Sequence, residues 1–318
     1  MSASGSTELQ DSQSIGIVGL GLLGRGIATC LLANNVRTVV FDEQPDAVAR
    51  LIPHASAVMD QLVTRGGLPE QMRDTWRSRL VVASNLQEFA ECGFVIESIV
   101  EDFAAKQTLF DRLEEIVEDT VPIASNTSAL PISKQQEHRR IPERFIGMHW
   151  AEPCHLTRFL EVIRGKQTSD EVVARTLQLG IRLGKDPTVV RKDVPGFIVN
   201  RLAYALYREA FWLLENDVAD VADIDRAFSA AISVWGDVAG PFRWMDLTGV
   251  AAYGRVMEHL LPELSRSTEV PEKMRQLMAE NAQGISTRQG FYHYSEDEVR
   301  HWEQTLIENV WKNRTAVP

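Results

Sequence analysis

The chain has 318 residues, enough for two domains of ordinary size, and its 44% hydrophobic and 24% charged residues argue against a disordered tail protein or a disulfide scaffold. Lys+Arg 33 against Asp+Glu 44 gives a formal net charge of −11, which opposes non-specific attraction to nucleic acid or an anionic membrane surface. The cysteines are Cys30, Cys92 and Cys154, odd in number and far apart, so they suit a reducing, cytoplasmic setting better than a disulfide framework or a zinc site.

Residues 1–13 have neither the basic start nor the apolar centre of a signal peptide and are expected to be a disordered tail; no later stretch approaches ~18 uninterrupted apolar residues. From residue 14, short β-branched runs at 14–19, 37–42, 94–99, 121–125, 144–150, 159–163 and 188–193 alternate with helix-like stretches. That alternation predicts an α/β fold, a Rossmann-like doubly wound parallel sheet over 14–193. At V-P-G (194–196) the strand signal stops, and the proline and glycine there suit a hinge. Beyond it, apolar residues recur three or four apart (Ile198, Leu202, Ala205, Leu206, Leu213), which predicts a smaller all-helical domain over 194–318.

The turn G-L-G-L-L-G at 19–24 follows the first strand and opens an apolar helix, the context in which such a turn binds a dinucleotide. Gly19 permits the turn, Gly21 lets backbone approach a pyrophosphate, and Gly24 lets the helix pack closely. The amides of Leu22 and Leu23 at the helix N-terminus face the anion. Asp42 ends the second strand about 20 residues on, where a carboxylate accepts from the adenosine ribose hydroxyls and repels a 2′-phosphate. No arginine follows it within seven residues, so the expected cofactor is NAD rather than NADP.

Further along, I-E-S-I-V-E-D (96–102), S-N-T-S (125–128), G-M-H-W-A-E-P (147–153), L-E-V-I (160–163), D-V-P-G-F-I-V-N-R (193–201), G-P-F-x-x-x-D-x-x-G (240–249) and T-R-Q-G-F-Y-H-Y (287–294) follow the glycine turn in order. With them the chain resembles the 3-hydroxyacyl-CoA dehydrogenase family. The resemblance implies oxidation of a secondary alcohol with hydride passing to NAD. A base must then take the hydroxyl proton, and histidine is the usual base near neutral pH. His149 is the expected base, and Glu161, twelve residues on in the next strand, its orienting partner. By the same resemblance Ser128 and Asn200 hydrogen-bond the reacting oxygen, and Glu101 and Lys106 line the cofactor site. The helical domain is expected to complete the cleft and to form a homodimer. No metal is expected.

The sequence departs from the family pattern in places that bear on substrate. Glu152 replaces an asparagine beside the nicotinamide; it is carried over as a cofactor-side position, and its simplest placement is toward solvent. Ser286 replaces a lysine directed toward the cofactor. Residues 43–80, where acyl-CoA-using members offer lysines to the nucleotide end of CoA, contain no lysine, and their five arginines face five acids. Trp150, His155, Arg243 and Trp244 suit a compact polar substrate, with Arg243 a candidate carboxylate clamp. These features resemble the short members acting on small molecules without CoA, and G-M-H-W most resembles the pyridine-carboxylate dehydrogenases. The expected reaction is reversible oxidation of the 3-hydroxyl of a small 3-hydroxy acid. An acyl-CoA substrate and a non-catalytic, crystallin-like NAD-binding protein stand as the alternatives.

Overall fold

The structure, a computed structural model, describes residues 13–315, so the tail expected at 1–13 lies, except for Gln13, outside the described residues. In chain order the first part runs β1 (Ser14–Val18), α1 (Leu22–Ala33), β2 (Thr38–Phe41), α2 (Pro45–Gly66), α3 (Met72–Thr75), β3 (Leu80–Val82) and β4 (Cys92–Glu97). It continues α4 (Phe103–Ile116), β5 (Ile123–Ser125), α5 (Ile132–Gln135), β6 (Phe145–Trp150), β7 (Phe159–Ile163), α6 (Asp170–Arg182) and β8 (Asp186–Val190). The strands form one eight-stranded sheet in the order β3-β2-β1-β4-β5-β6-β7-β8. The reversal of direction at β1 makes the crevice where doubly wound folds bind their ligands.

Helix ends carry their own stop and start chemistry. The Asp102 carboxylate accepts from the Ala105 amide at 2.8 Å to cap α4, and the Ser169 hydroxyl accepts from Val172 at 3.2 Å to cap α6. Pro45 opens α2 and Gly67, at φ +76°, closes it.

The sheet is not wholly parallel. β7 runs antiparallel to β6, and β8 is parallel to β7. Residues 151–158 are too few for the dozen or more that a parallel crossover needs, so the chain turns back. β3, only three residues long and at the sheet edge, escaped the sequence pattern.

Side chains alternate across each strand, and the two faces fill separately. Ile146, Met148 and Trp150 of β6 and Leu160 and Val162 of β7 join α1 and α6 in one core. Val95, Ile123 and Phe145 pack with Leu109, Phe110 and Leu113 of α4 in another. Ile132, Ile163, Val190 and Phe197 close the second face near the end of the sheet.

The chain divides into two compact units: one runs to Ile198 and takes in the residues from Glu308 on, the other is Val199–Ile307. Gly196, at φ +79°, turns the backbone just ahead of the division. The second unit contains α7 (Val199–Glu215), α8 (Val221–Ala227), α9 (Ser233–Val238), α10 (Pro241–Thr248), α11 (Val250–Leu260) and α12 (Glu272–Ala279), and α13 (Glu296–Thr315) ends the described chain. The last turns of α13 group with the first unit. There Trp311 is buried and Arg65 holds Glu308 with two 2.7 Å hydrogen bonds. This return of the C-terminus has no signature in an amphipathic pattern. Among the described residues no helix is long and apolar enough to cross a membrane.

Candidate active site

At the end of β1, Gly19 takes φ +94°, and a Cβ there would collide with the Ser98 carbonyl of the neighbouring strand end. A Cβ on Gly24 would overlap the Gly19 carbonyl oxygen, whereas one on Gly21 would meet nothing within 4 Å. The turn is therefore closed against the protein and open on one side, above the start of α1, which no side chain caps. That is a cradle for a pyrophosphate, and the residues present fit NAD. Asp42 stands beside it: its carboxylate accepts from the Leu20 amide at 2.7 Å and the Gln44 amide at 2.8 Å. Each oxygen keeps a lone pair for a further donor.

The register of β6 and β7 sets His149 directly opposite Glu161. Opposed residues on one face of an antiparallel pair are side-chain neighbours. The His149 Nδ1 donates to Glu161 Oε2 at 2.8 Å, and the other carboxylate oxygen accepts from the Ile198 amide at 3.0 Å. Glu161 is fully buried and His149 nearly so, with the Phe159 and Phe197 rings 5.5 and 5.8 Å from the imidazole. Packing and hydrogen bonds thus fix the ring and leave Nε2 as the basic atom.

A second cluster occupies the ends of β4 and β5. Glu101 Oε1 accepts from the Thr127 hydroxyl, from the Ser128 amide at 3.0 Å and from the Ala129 amide at 3.1 Å. Burial raises its pKa, but the hydrogen bonds from Thr127 and Lys106 outweigh this and hold it below the ordinary carboxylate value. Lys106, expected along the cofactor site, is fully buried instead, 2.5 Å from Glu97 and 3.2 Å from Glu101, so it bears on that site through Glu101. Glu97 is also fully buried and accepts from the Ser125 hydroxyl at 2.6 Å; burial pushes its pKa up. Sequence reasoning missed Glu97, though a charged residue inside the apolar run F-V-I-E-S-I was the available signal.

Two expectations fail on strand geometry. Trp150 follows His149 directly and so faces the opposite side, into the α1 and α6 core, with His155 beyond it on that side. Glu152 does not turn to solvent. It is half-buried against α1, where a Cβ on Gly26 would stand 2.7 Å from its Oε1, and it accepts from the Cys154 amide at 3.3 Å. Burial there raises its pKa.

In the second unit, Asn200 is the second residue of α7 and half-buried. Arg243 is exposed on α10, with no carboxylate in ion-pair distance among the described residues, beside Trp244, whose ring stacks on Trp235 at 6.2 Å. The Ser286 hydroxyl donates to the Gln283 carbonyl at 3.2 Å.

Comparison with known proteins covers most of the chain. Residues 14–194 match the 3-hydroxyacyl-CoA dehydrogenase NAD binding domain, and residues 196–294 match the C-terminal domain of the same enzymes. The 5-formyl-3-hydroxy-2-methylpyridine 4-carboxylate 5-dehydrogenase of Mesorhizobium japonicum is 32% identical over 291 residues, 91% of this chain and 93% of that one. A crystal structure of an enzyme of that name, described as an NAD+ dependent dismutase, superposes with a TM-score of 0.87 at 30% identity over 95% of this chain and 97% of the other. The (S)-3-hydroxybutyryl-CoA dehydrogenase of Ralstonia eutropha superposes at 0.74 with 31% identity, covering 89% of this chain and 99% of that one. A peroxisomal fatty acid beta-oxidation multifunctional protein of Arabidopsis thaliana is 31% identical over 95% of this chain, which spans 41% of its length. By both of its domains, this chain belongs to the 3-hydroxyacyl-CoA dehydrogenase family.

Proposed function

We propose that the protein reversibly oxidises the 3-hydroxyl of a small 3-hydroxy acid with a free carboxylate, using NAD. The observation that carries the reading is the 2.8 Å pairing of His149 Nδ1 with a fully buried Glu161, which leaves Nε2 as the base. The bound nicotinamide supplies the hydride acceptor. The glycine turn of residues 19–24 and Asp42 hold the nucleotide. Glu101, steadied by Lys106, forms the cofactor-side wall. His149 Nε2 takes the hydroxyl proton, and Glu161 stabilises the imidazolium that results. Ser128 and Asn200 donate to the substrate oxygen, so in the reductive direction they polarise the carbonyl. Glu152 is assigned to the wall along α1.

Arg243 is assigned to the substrate carboxylate. Its exposure and its lack of an ion pair among the described residues support that role, as does the likeness to an enzyme named for a pyridine carboxylate substrate. Three of the five arginines of residues 43–80 speak against CoA: Arg65 is in an ion pair with Glu308, Arg73 with Asp60 and Glu70, and Arg77 with Asp74. Direct competition between acetoacetyl-CoA and free 3-keto acids tests the reading. Arg243→Met is expected to raise KM for the acid about 10- to 100-fold, the loss of a charge-assisted hydrogen bond worth ~1.5–3 kcal/mol. A kcat/KM for acetoacetyl-CoA far above every free acid, unchanged in Arg243→Met, refutes it.

A homodimer through the helical unit is part of the same reading. Helices α7 through α11 bury none of their residues, and they expose Leu202, Tyr204, Val234, Phe242 and Leu247. An apolar surface of that kind is the usual mark of an interface. The three cysteines, free and buried, support a cytoplasmic setting.

A further inference from the structure

Behind the strand that carries His149, on the α1 side of the sheet, lies a cavity of about 190 Å³ that the dehydrogenase reading does not use. It has room for roughly six waters, which suits a small ion and excludes a dinucleotide. Its lining includes Lys185, His155, Arg158 and Arg314, with Asn34 and Cys30 of α1, and no carboxylate. Lys185 is buried; its ammonium donates to the Cys154 carbonyl and, at 2.6 Å, to the Thr157 carbonyl, and sits 5.1 Å over the Trp150 ring. The Cys30 thiol is a further hydrogen-bonding neighbour, and among the described residues no carboxylate pairs with this ammonium, so its charge is not neutralised within the cavity.

Both ring nitrogens of His155 are buried with no hydrogen-bond partner, as is the Nη1 of Arg314. Groups of this kind are costly to bury unless something accepts from them. The local field is positive as well: burial, then the charges of His54, Arg314 and Lys185, push the pKa of His155 down to about 4. Glu152 is the acid close enough to Lys185 to feel its charge, and it is engaged with Cys154. Arg158 lies 3.9 Å from a largely exposed Asp186, too loose a pair to satisfy the cavity.

We propose that this cavity is a binding site for a phosphate group, held by Arg314, His155 and Lys185. Two fixed cations and a neutral imidazole donor match a dianion with several acceptor oxygens, and the guanidinium fork suits phosphate geometry. The ligand is either free phosphate or the head of a small phosphate monoester. When bound, it ties the end of α13 to the loop that follows His149.

The test is calorimetric titration of the NAD-saturated protein with inorganic phosphate and, separately, with glycerol 3-phosphate at constant ionic strength. Saturating NAD keeps the glycine turn from answering in place of the cavity. One saturable site is expected, weakened at least tenfold by Arg314→Met and by His155→Phe, with KM for NAD unchanged; the tighter of the two ligands identifies the source. Because Arg314 also lies 5.3 Å over the Trp311 ring, the unmodified protein supplies an independent readout: the imidazole resonances of His155 shift on addition of phosphate. Absence of saturable binding by either ligand, binding undiminished in both variants, or unmoved His155 resonances at saturation overturns the proposal.

Discussion

Replacing Glu161 by glutamine probes the proposed proton-handling unit with almost no change in volume. The carboxylate serves two donors at once, the His149 Nδ1–H at 2.8 Å and the Ile198 amide at 3.0 Å. A glutamine has one oxygen and one NH2 group, so it satisfies only one of them as an acceptor. If the oxygen stays on His149, the ring keeps its tautomer and loses a charged partner. A charge-assisted hydrogen bond is worth ~1.5–3 kcal/mol, or about 10- to 100-fold in kcat. If the oxygen stays on Ile198, the NH2 faces Nδ1 and forces the proton onto Nε2, where the base should be. The loss then approaches the ~10²–10⁴-fold that a general base contributes. The assay is NADH formation with the best 3-hydroxy acid, with NAD affinity measured by fluorescence as a control. Loss of kcat with NAD binding kept is the expected result, and His149→Ala should match or exceed it. A kcat within twofold of the unmodified protein in Glu161→Gln refutes the reasoning, because a fully buried carboxylate that can be neutralised for nothing is not holding a catalytic imidazole.

Two further outcomes follow from the same side-chain chemistry. Asp42→Ala should lower kcat/KM for NAD about 10- to 100-fold, by the loss of a hydrogen bond to a charged acceptor, and narrow the gap to NADP. It should also lower Tm, since the buried Leu20 amide loses its acceptor; steady-state kinetics with both cofactors and a melting curve check the two effects. His155, held near a pKa of about 4 against an ordinary 6.5, binds its proton less well in the folded state. The unfolded chain therefore takes up the proton first as pH falls, and the group's contribution to stability, full above 6.5, is lost between 6.5 and 4. From pH 7 to pH 5 that loss is about 2 kcal/mol by linkage. Denaturant melts of the unmodified protein and His155→Phe at the two pH values should differ by about this amount, and parallel curves would contradict it.

Much of the fold was legible because its signals are local. The turn at residues 19–24 declares itself in six residues, since Gly19 and Gly24 answer steric demands that a side chain would break, while Gly21 keeps the open side free for the pyrophosphate. The pairing of His149 with Glu161 was legible for a different reason. It came with the family resemblance and its twelve-residue spacing, whereas the antiparallel turn of β7 that sets the two side chains opposite each other was not foreseen in a sheet expected to be parallel. The details that escaped the sequence depend on partners remote in the chain. β3 is a strand only because β2 offers it an edge. Lys106 reads as a solvated helix residue until Glu97, nine positions back, is placed beneath it. The return of α13 to Arg65 spans 243 residues, and the opposite facing of Trp150 required knowing that His149 already held the other side.

The choice between a free acid and an acyl-CoA turns on what the arginines of residues 43–80 are doing. An ion pair on the surface is worth ~0.2–1 kcal/mol, so pairing alone is a weak barrier to recruiting an arginine for phosphate. Geometry is the stronger barrier. Arg65 spends both ends of its fork on Glu308 at 2.7 Å and lies over the Trp311 ring, so turning it outward breaks two charge-assisted bonds and a ring contact together. Arg73 is divided among Asp60, Glu70 and Thr64, and Arg77 is held by Asp74, Ser56 and the Trp76 ring. Arg79 is partly buried, and burial lowers its pKa, the mark of a cation in poor contact with water. Each of these four is engaged within residues 43–80 or with α13, so a CoA nucleotide would have to displace those contacts to use them; Arg50, the fifth, is exposed and has no ion pair among the described residues. Arg243, exposed and without an ion pair among the described residues, demands no such exchange, and a compact carboxylate is the ligand that one such guanidinium can hold.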